Sequence, residues 1–376
     1  MAQALRHGRR LYRKRPTFRN HLGHAVPERL YLDHAATTPV SAIARAAMAE
    51  ALENWANPSS PHAEGRAAKA ALESARVRIG KALDWPHDII FTSGASEAIA
   101  LALTRNRADA LFVSAVEHDA VTRCVPKAFT LPVTSKGEVT ADVLAQQLDA
   151  HPVPLPLVAV QHANNETGVI QPLEALIPLV RARGGLIFVD CAQTAAKLPL
   201  PDADMIAISA HKFGGPPGIG ALLVKDLGQL SPSGGQEKGY RGGTENLPAI
   251  LSMTAAAEAG RGWLSRAADL REHLDAAIEA AGGQIVASNA PRLSTIGSYH
   301  MPGKPSSAQL IQFDLAGISV SAGSACSSGT LKTSHVLKAM GMGEEEASEV
   351  IRVSFGPETS RADIYRFVDT WQRIRG

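Results

Sequence analysis

The sequence predicts an α/β fold, a mostly parallel sheet with helices on both faces. Three observations predict it. From about residue 30, short β-branched or apolar runs alternate with Ala-rich stretches of helical character. Each run ends in small or polar residues, as strands of open α/β sheets do where ligands gather. The chain has 376 residues, too many for one small core and suited to a large domain with a smaller partner.

Taken in order, the predicted strands are Asp88–Thr92, Ala110–Ser114, Leu157–Gln161, Leu186–Asp190 and Met205–Ser209. Strands separated by helical stretches pair in parallel through crossovers. Gly220–Val224 follows Ser209 after a short Gly/Pro loop. That gap is too short for a helical crossover, so this strand is predicted to pair antiparallel. Residues 249–281 are rich in Ala, Glu and Arg and predict one long helix joining two domains. The C-terminal third alternates strands and helices again, with a Ser/Gly-rich loop at 321–330. No internal repeat is visible.

The formal net charge is +2, which hides an asymmetry. Residues 1–29 hold eight Lys/Arg and one acid, and the remainder is net −5. A near-neutral body gives no case for nucleic acid as the main partner, and only the basic extension leaves RNA contact open. The extension is read as solvated. It is Arg-rich like a mitochondrial presequence but has no Ser and contains Pro16 and Pro27. No run approaches the roughly 20 apolar residues of a membrane span, and the N-terminus lacks the apolar core of a secretory signal.

The three cysteines, Cys124, Cys191 and Cys326, are widely spaced, which points to a reducing compartment. Cys191, at a strand end, reads as buried packing. Cys124 reads as part of a helical stretch without a chemical role. No Cys-x-x-Cys or His-Glu-x-x-His is present, so no metal site is expected.

The chemistry concentrates at the predicted strand ends. After the first comes Ser93-Gly94-Ala95-Ser96-Glu97, where small residues at a helix start let backbone N–H groups reach an anion. An ordinary N-cap is the alternative there. Glu117-His118-Asp119 follows the second, and His162-Ala163-Asn164-Asn165-Glu166-Thr167-Gly168 the third. Asp190-Cys191-Ala192-Gln193 closes the fourth, and Ser209-Ala210-His211-Lys212 the fifth. Singly, each has an ordinary reading as a cap, a packed histidine or a solvated lysine. Jointly they put an acid, an imidazole, amides and a lysine on one sheet edge. Those are the needs of pyridoxal phosphate: a lysine for its aldehyde, a carboxylate for its ring nitrogen, a helix start for its phosphate.

At this point the sequence resembles the cysteine desulfurases of the NifS/IscS type, which are fold-type I, class V pyridoxal-phosphate enzymes. The resemblance rests on Leu32-Asp33-His34-Ala35-Ala36-Thr37-Thr38-Pro39, Phe91–Glu97, Asn164–Gly168 and Ser209–Lys212. It continues through Gly239–Asn246, Ser324-Ala325-Cys326-Ser327-Ser328-Gly329 and Ile351–Gly356. It implies a seven-stranded, mostly parallel large domain at 42–270. It also implies a smaller α/β domain of 30–41 plus 271–376 carrying a catalytic Cys loop.

By resemblance, Lys212 forms the Schiff base, Asp190 pairs with the ring nitrogen and Gln193 reaches the phenolate oxygen. His118 stacks on the ring as acid/base. Ala95, Ser96, Ser209 and His211 hold the cofactor phosphate, with Thr244 supplied by the other subunit of a homodimer. Asn165 and Arg352 hold the substrate carboxylate, and Cys326 takes the sulfur of L-cysteine. The resemblance further implies a sulfur-acceptor partner, as in iron–sulfur cluster assembly, and a cytoplasmic enzyme, or a mitochondrial one if the extension is a presequence. Selenocysteine lyase, class V aminotransferase and a non-catalytic sulfur-relay scaffold are the alternatives.

The sequence departs from the family at Ile99 and Ala100, where polar residues are usual, and at Pro217, where a lysine is usual. It stops soon after its last predicted helix, so the tail by which many relatives dock a scaffold is not seen.

Overall fold

The computed structural model describes residues 29–323 and 333–376. In chain order the elements begin β1 (Leu30–Tyr31), α1 (Ala42–Glu53), α2 (Ala63–Leu83), β2 (Asp88–Thr92), α3 (Ala95–Arg105) and β3 (Ala110–Ser114). Next come α4 (Asp119–Thr122), β4 (Phe129–Leu131), α5 (Ala141–Ala150), β5 (Pro156–Gln161), α6 (Leu173–Ala182), β6 (Leu186–Asp190), β7 (Met205–Ser209) and β8 (Gly220–Val224). The rest are α7 (Leu247–Glu258), α8 (Leu264–Ala280), β9 (Gln284–Ile285), β10 (Ile296–His300), α9 (Ser306–Leu315), β11 (Ile318–Ser319), α10 (His335–Ala339), α11 (Glu344–Ser348), β12 (Val350–Ser354) and α12 (Arg361–Arg375).

A seven-stranded sheet runs in the order β2-β8-β7-β6-β5-β3-β4. All its pairings are parallel except those of β8, which is antiparallel to both β7 and β2. The strand alternation explains why both faces are covered. In β5, Val158 and Val160 face one core while Leu157 and Ala159 face the other. In β6, Ile187 and Val189 oppose Leu186 and Phe188 in the same way. Helix α2 packs Leu72, Ile79 and Leu83 on the first face, and α3 packs Ile99 and Leu103 on the second.

A second core gathers β1, α8, β10, α9, β12 and α12 around Leu32, Leu274, Tyr299, Phe313, Val353 and Trp371. Its three-stranded sheet runs β12-β10-β9 and is antiparallel. β1 joins this part of the molecule by pairing in parallel with β11. From residue 30 the described chain therefore runs from this part of the molecule to the large sheet and returns.

Two expectations are corrected. Residues 249–281 are not one helix: α7 ends at Glu258 and α8 begins at Leu264. Gly260 adopts φ +85°, a left-handed conformation that stops a helix. Cys124 lies in a turn after the four-residue α4 rather than within a helix. Among the described residues no helix is long and apolar enough to cross a membrane.

Candidate active site

The carboxyl ends of β2, β3, β5, β6 and β7 open onto one cavity of about 540 Å³. Helix α3 starts there. Its N-cap is Gly94, which has no side chain to bond the first turn, so the N–H groups of Ala95 and Ser96 are left to the cavity wall. Glu97 turns back to accept from the Ser93 N–H and from Arg241 Nε at 3.0 Å.

His118 caps α4 by accepting from the Ala120 N–H through Nδ1 at 3.1 Å. Burial holds its pKa below the usual imidazole value, against the pull of Asp190. Asn165 sits on a loop closed by its neighbour: Asn164 Oδ1 accepts from the Glu166 and Thr167 N–H groups, both at 2.9 Å. Gly168 ends this loop at φ +79°, with a Cβ position only 2.7 Å from the Ile296 carbonyl oxygen. No other residue fits there.

Asp190 ends β6, buried, with Oδ1 accepting from the Ala192 N–H at 2.8 Å. Burial pushes its pKa up, while the Ala192 N–H, His118 and Lys212 push it down. Gln193 donates to the Ala35 carbonyl at 2.9 Å and leaves Oε1 buried without a partner among the described residues.

Ser209 ends β7, and a 3-10 turn over Ala210–Lys212 follows. Lys212 Nζ donates to the carbonyls of Ala35 and Ala36. Burial, then Arg352, brings its pKa down to about 8. His211 is brought down to about 4, mainly by burial.

Arg352 enters from β12 of the second core, with Nη2 2.7 Å from Asp33 Oδ1 and Nη1 donating to the Asn165 carbonyl at 3.0 Å. The cavity therefore brings together Ala95, Ser96, His118, Asn165, Asp190, Gln193, Ser209, His211, Lys212 and Arg352. Thr244 is exposed and does not line it. Cys326 lies outside the described residues, although Gly323 and His335 on either side of that stretch line the cavity. Ile99 and Pro217 line it too, so two of the three named departures from the resemblance fall on the cavity wall, and Ala100 does not.

A profile of the aminotransferase class-V family matches residues 30–367. The chain belongs to the class-V aminotransferase family. Among curated relatives of this class-V chain is the "Cysteine desulfurase IscS" of Dictyoglomus turgidum. It is 34% identical over 92% of this chain and 94% of its own length. Among solved structures, a NifS-like protein from Rickettsia africae superposes with a TM-score of 0.86 at 31% identity, covering 92% of this chain and 99% of its own. SspA, solved in complex with cysteine, gives 0.76 at 30% identity, covering 88% and 100%.

The structure also shows charged groups of this class-V chain to which the sequence reading assigned no role. Glu117 is fully buried, accepts from the Gln161 N–H through Oε1 and leaves Oε2 without a partner among the described residues. Burial and then Asp190 hold its pKa well above the usual carboxylate range. Glu166 accepts from Ser334 Oγ. Lys197 is buried, with a pKa brought down to about 7 by burial and then by Lys212. Buried His34 is brought down to about 3. Asp33, His34, Glu117 and Glu166 stand inside or beside the quoted motifs, which was the available signal. Burial was not, because charged residues are exposed by default.

Proposed function

We propose that this chain is a pyridoxal-phosphate-dependent cysteine desulfurase. It converts L-cysteine to L-alanine and leaves the sulfur on Cys326 as a persulfide. The observation that carries the reading is convergence: Lys212 of the large sheet and Arg352 of the second core face one cavity beside buried Asp190. Relatives named cysteine desulfurase, matched over nine-tenths of the chain, support it, as does a solved relative holding cysteine.

The residues fit the cofactor. Asp190 is a buried carboxylate with no ion pair within 4 Å among the described residues, suited to a cationic ring N–H. The uncapped start of α3 suits a phosphate, and the unpartnered end of the Gln193 amide suits a ring substituent. When bound, pyridoxal phosphate supplies an aldehyde and an electron-withdrawing ring that stabilises negative charge on a neighbouring carbon.

The chain's own groups do the rest. Lys212, with its lowered pKa, exists in both protonation states near neutrality and takes or returns a proton at Nζ. His118 is held through Nδ1, which leaves Nε2 for proton exchange. Arg352 and Asn165 orient the substrate carboxylate, for which a planar guanidinium suits. Cys326 acts as thiolate on the substrate sulfur. One C–S bond breaks, one S–S bond forms, and the hydrogen of the Cys326 thiol is made good on carbon as alanine forms. That half-reaction needs no outside oxidant.

The same reading includes a homodimer in which Thr244 serves the partner's phosphate site, a cytoplasmic location and a sulfur-acceptor protein, such as a cluster scaffold. It also divides the chain into a large domain at 42–270 and a small one made of 30–41 plus 271–376. The test is direct. Purified protein given pyridoxal phosphate, L-cysteine and a thiol reductant is expected to release alanine and sulfide in equal amounts. Cys326→Ala is expected to lose the persulfide and at least a hundredfold in rate. Full activity in that variant would overturn the reading.

A further inference from the structure

Arg352 meets a carboxylate of the chain itself. Asp33 Oδ1 lies 2.7 Å from Nη2, and the side chains are 21% and 6% exposed. The pair is built into the backbone. Asp33 bridges Ser354, Ser354 N–H donates to the Leu32 carbonyl at 2.8 Å, and the Ala35 N–H donates to Ser354 Oγ at 2.8 Å. Arg352 lies two residues before Ser354 on the same strand, so both charges ride on paired chains. The guanidinium is held on a second side by the Asn165 carbonyl, while Nε is buried with no partner among the described residues. The cavity's other acids are Glu97, Asp119, Glu166 and Asp190; Glu97 is held by Ser93 and Arg241, Glu166 by Ser334, and Asp190 by Ala192.

We infer that Asp33 is a specificity-determining residue: it holds the Arg352 guanidinium in place and, as a resident negative charge, disfavours amino acids with an anionic side chain. This rests on the reading of Arg352 as the group that takes the substrate carboxylate. The arriving carboxylate becomes the second on one guanidinium. A side-chain acid would be the third, and like charges at such range in a partly dry cavity repel strongly. L-Cysteine, neutral at its thiol, escapes this penalty. Asp33 thus has two separable contributions, an oxygen that orients Arg352 and a charge that selects.

The experiment compares L-aspartate with L-asparagine, which match in shape and differ in charge, by calorimetric titration of the holoenzyme. Wild type is expected to favour asparagine. Asp33→Asn keeps an oxygen for Arg352 and removes the charge, and is expected to shift the ratio toward aspartate by about tenfold. Asp33→Ala is expected to shift the ratio likewise and also to raise the KM for L-cysteine above that of Asp33→Asn, which partly rescues it. An unchanged ratio in both variants, with normal desulfuration by wild type, overturns this inference alone. A wild-type protein that binds neither ligand and releases no alanine overturns the functional reading with it.

Discussion

At the scale of single residues, the cavity is governed by burial acting on charge. Lys212 is enclosed beside Arg352, so its ammonium form is penalised and its pKa falls to about 8, with Asp190 and Asp33 opposing. In the apoprotein, the free amine is the form that captures an aldehyde. The rate of pyridoxal phosphate capture is therefore expected to rise about tenfold per pH unit below 8 and to level off above it. Absorbance-monitored reconstitution across pH 6–10 checks this, and a midpoint near the ordinary lysine value would refute it. Since alone it reads as a solvated lysine, Lys212 was legible in the sequence only together with the acid, imidazole and amides at the neighbouring strand ends. The charge of Lys197 was not. A lysine is solvated unless the fold encloses it, and enclosure comes from residues distant in the chain.

At the scale of elements, the edge of the large sheet near α3 depends on one buried carboxylate. Glu237 accepts from Arg76 Nη1 and Nη2 at 2.8 and 3.0 Å and from the Phe91 N–H at 2.8 Å. Arg76 lies over the Phe91 ring at 4.8 Å. This tie joins α2, edge strand β2 and the loop that sends Arg241 to Glu97 at the start of α3. Glu237→Ala leaves the mostly buried Arg76 guanidinium with Glu73 as its ionic partner and the Phe91 N–H without its acceptor, and is expected to cost about 1–3 kcal/mol in denaturant unfolding. A loss below about 1 kcal/mol would show the tie to be dispensable. The strands were readable because apolar runs of five residues bounded by turns have few alternatives. The break between α7 and α8 was harder: an isolated glycine in an Ala-rich stretch is often tolerated, and Gly260 stops the helix by taking a left-handed conformation.

At the scale of the whole molecule, buried histidines couple folding to pH. Burial brings His34 down to about 3 and His162 to about 4. The unfolded chain protonates these rings near 6.5, while the folded chain resists until pH 4 or below. The contribution of these two rings is therefore complete above about pH 6.5 and is lost as pH drops toward 4, by about 1.4 kcal/mol per unit for each ring. The raised carboxyls of Glu117, Glu166 and Asp190 oppose this trend, so the test is differential: melting temperature is expected to drop more steeply over that window in wild type than in His34→Asn. Equal slopes in the two proteins from pH 6.5 to 4.5 would count against it. His34 sits between Leu32 of the second core and Ala35 and Ala36, whose carbonyls receive Lys212.

The sequence by itself determined the alternating α/β texture, the antiparallel return of β8 and the placement of an acid, an imidazole and a lysine on one sheet edge. These follow from local periodicity and from the geometry of strand ends, which neighbouring residues dictate. The resemblance assigned Arg352 to the site, but only the tertiary structure decided that it arrives from a separate sheet and that Asp33 meets it there. It also decided which charges are buried, because desolvation and ion pairing depend on groups more than 300 positions apart along the chain, as Asp33 and Arg352 are.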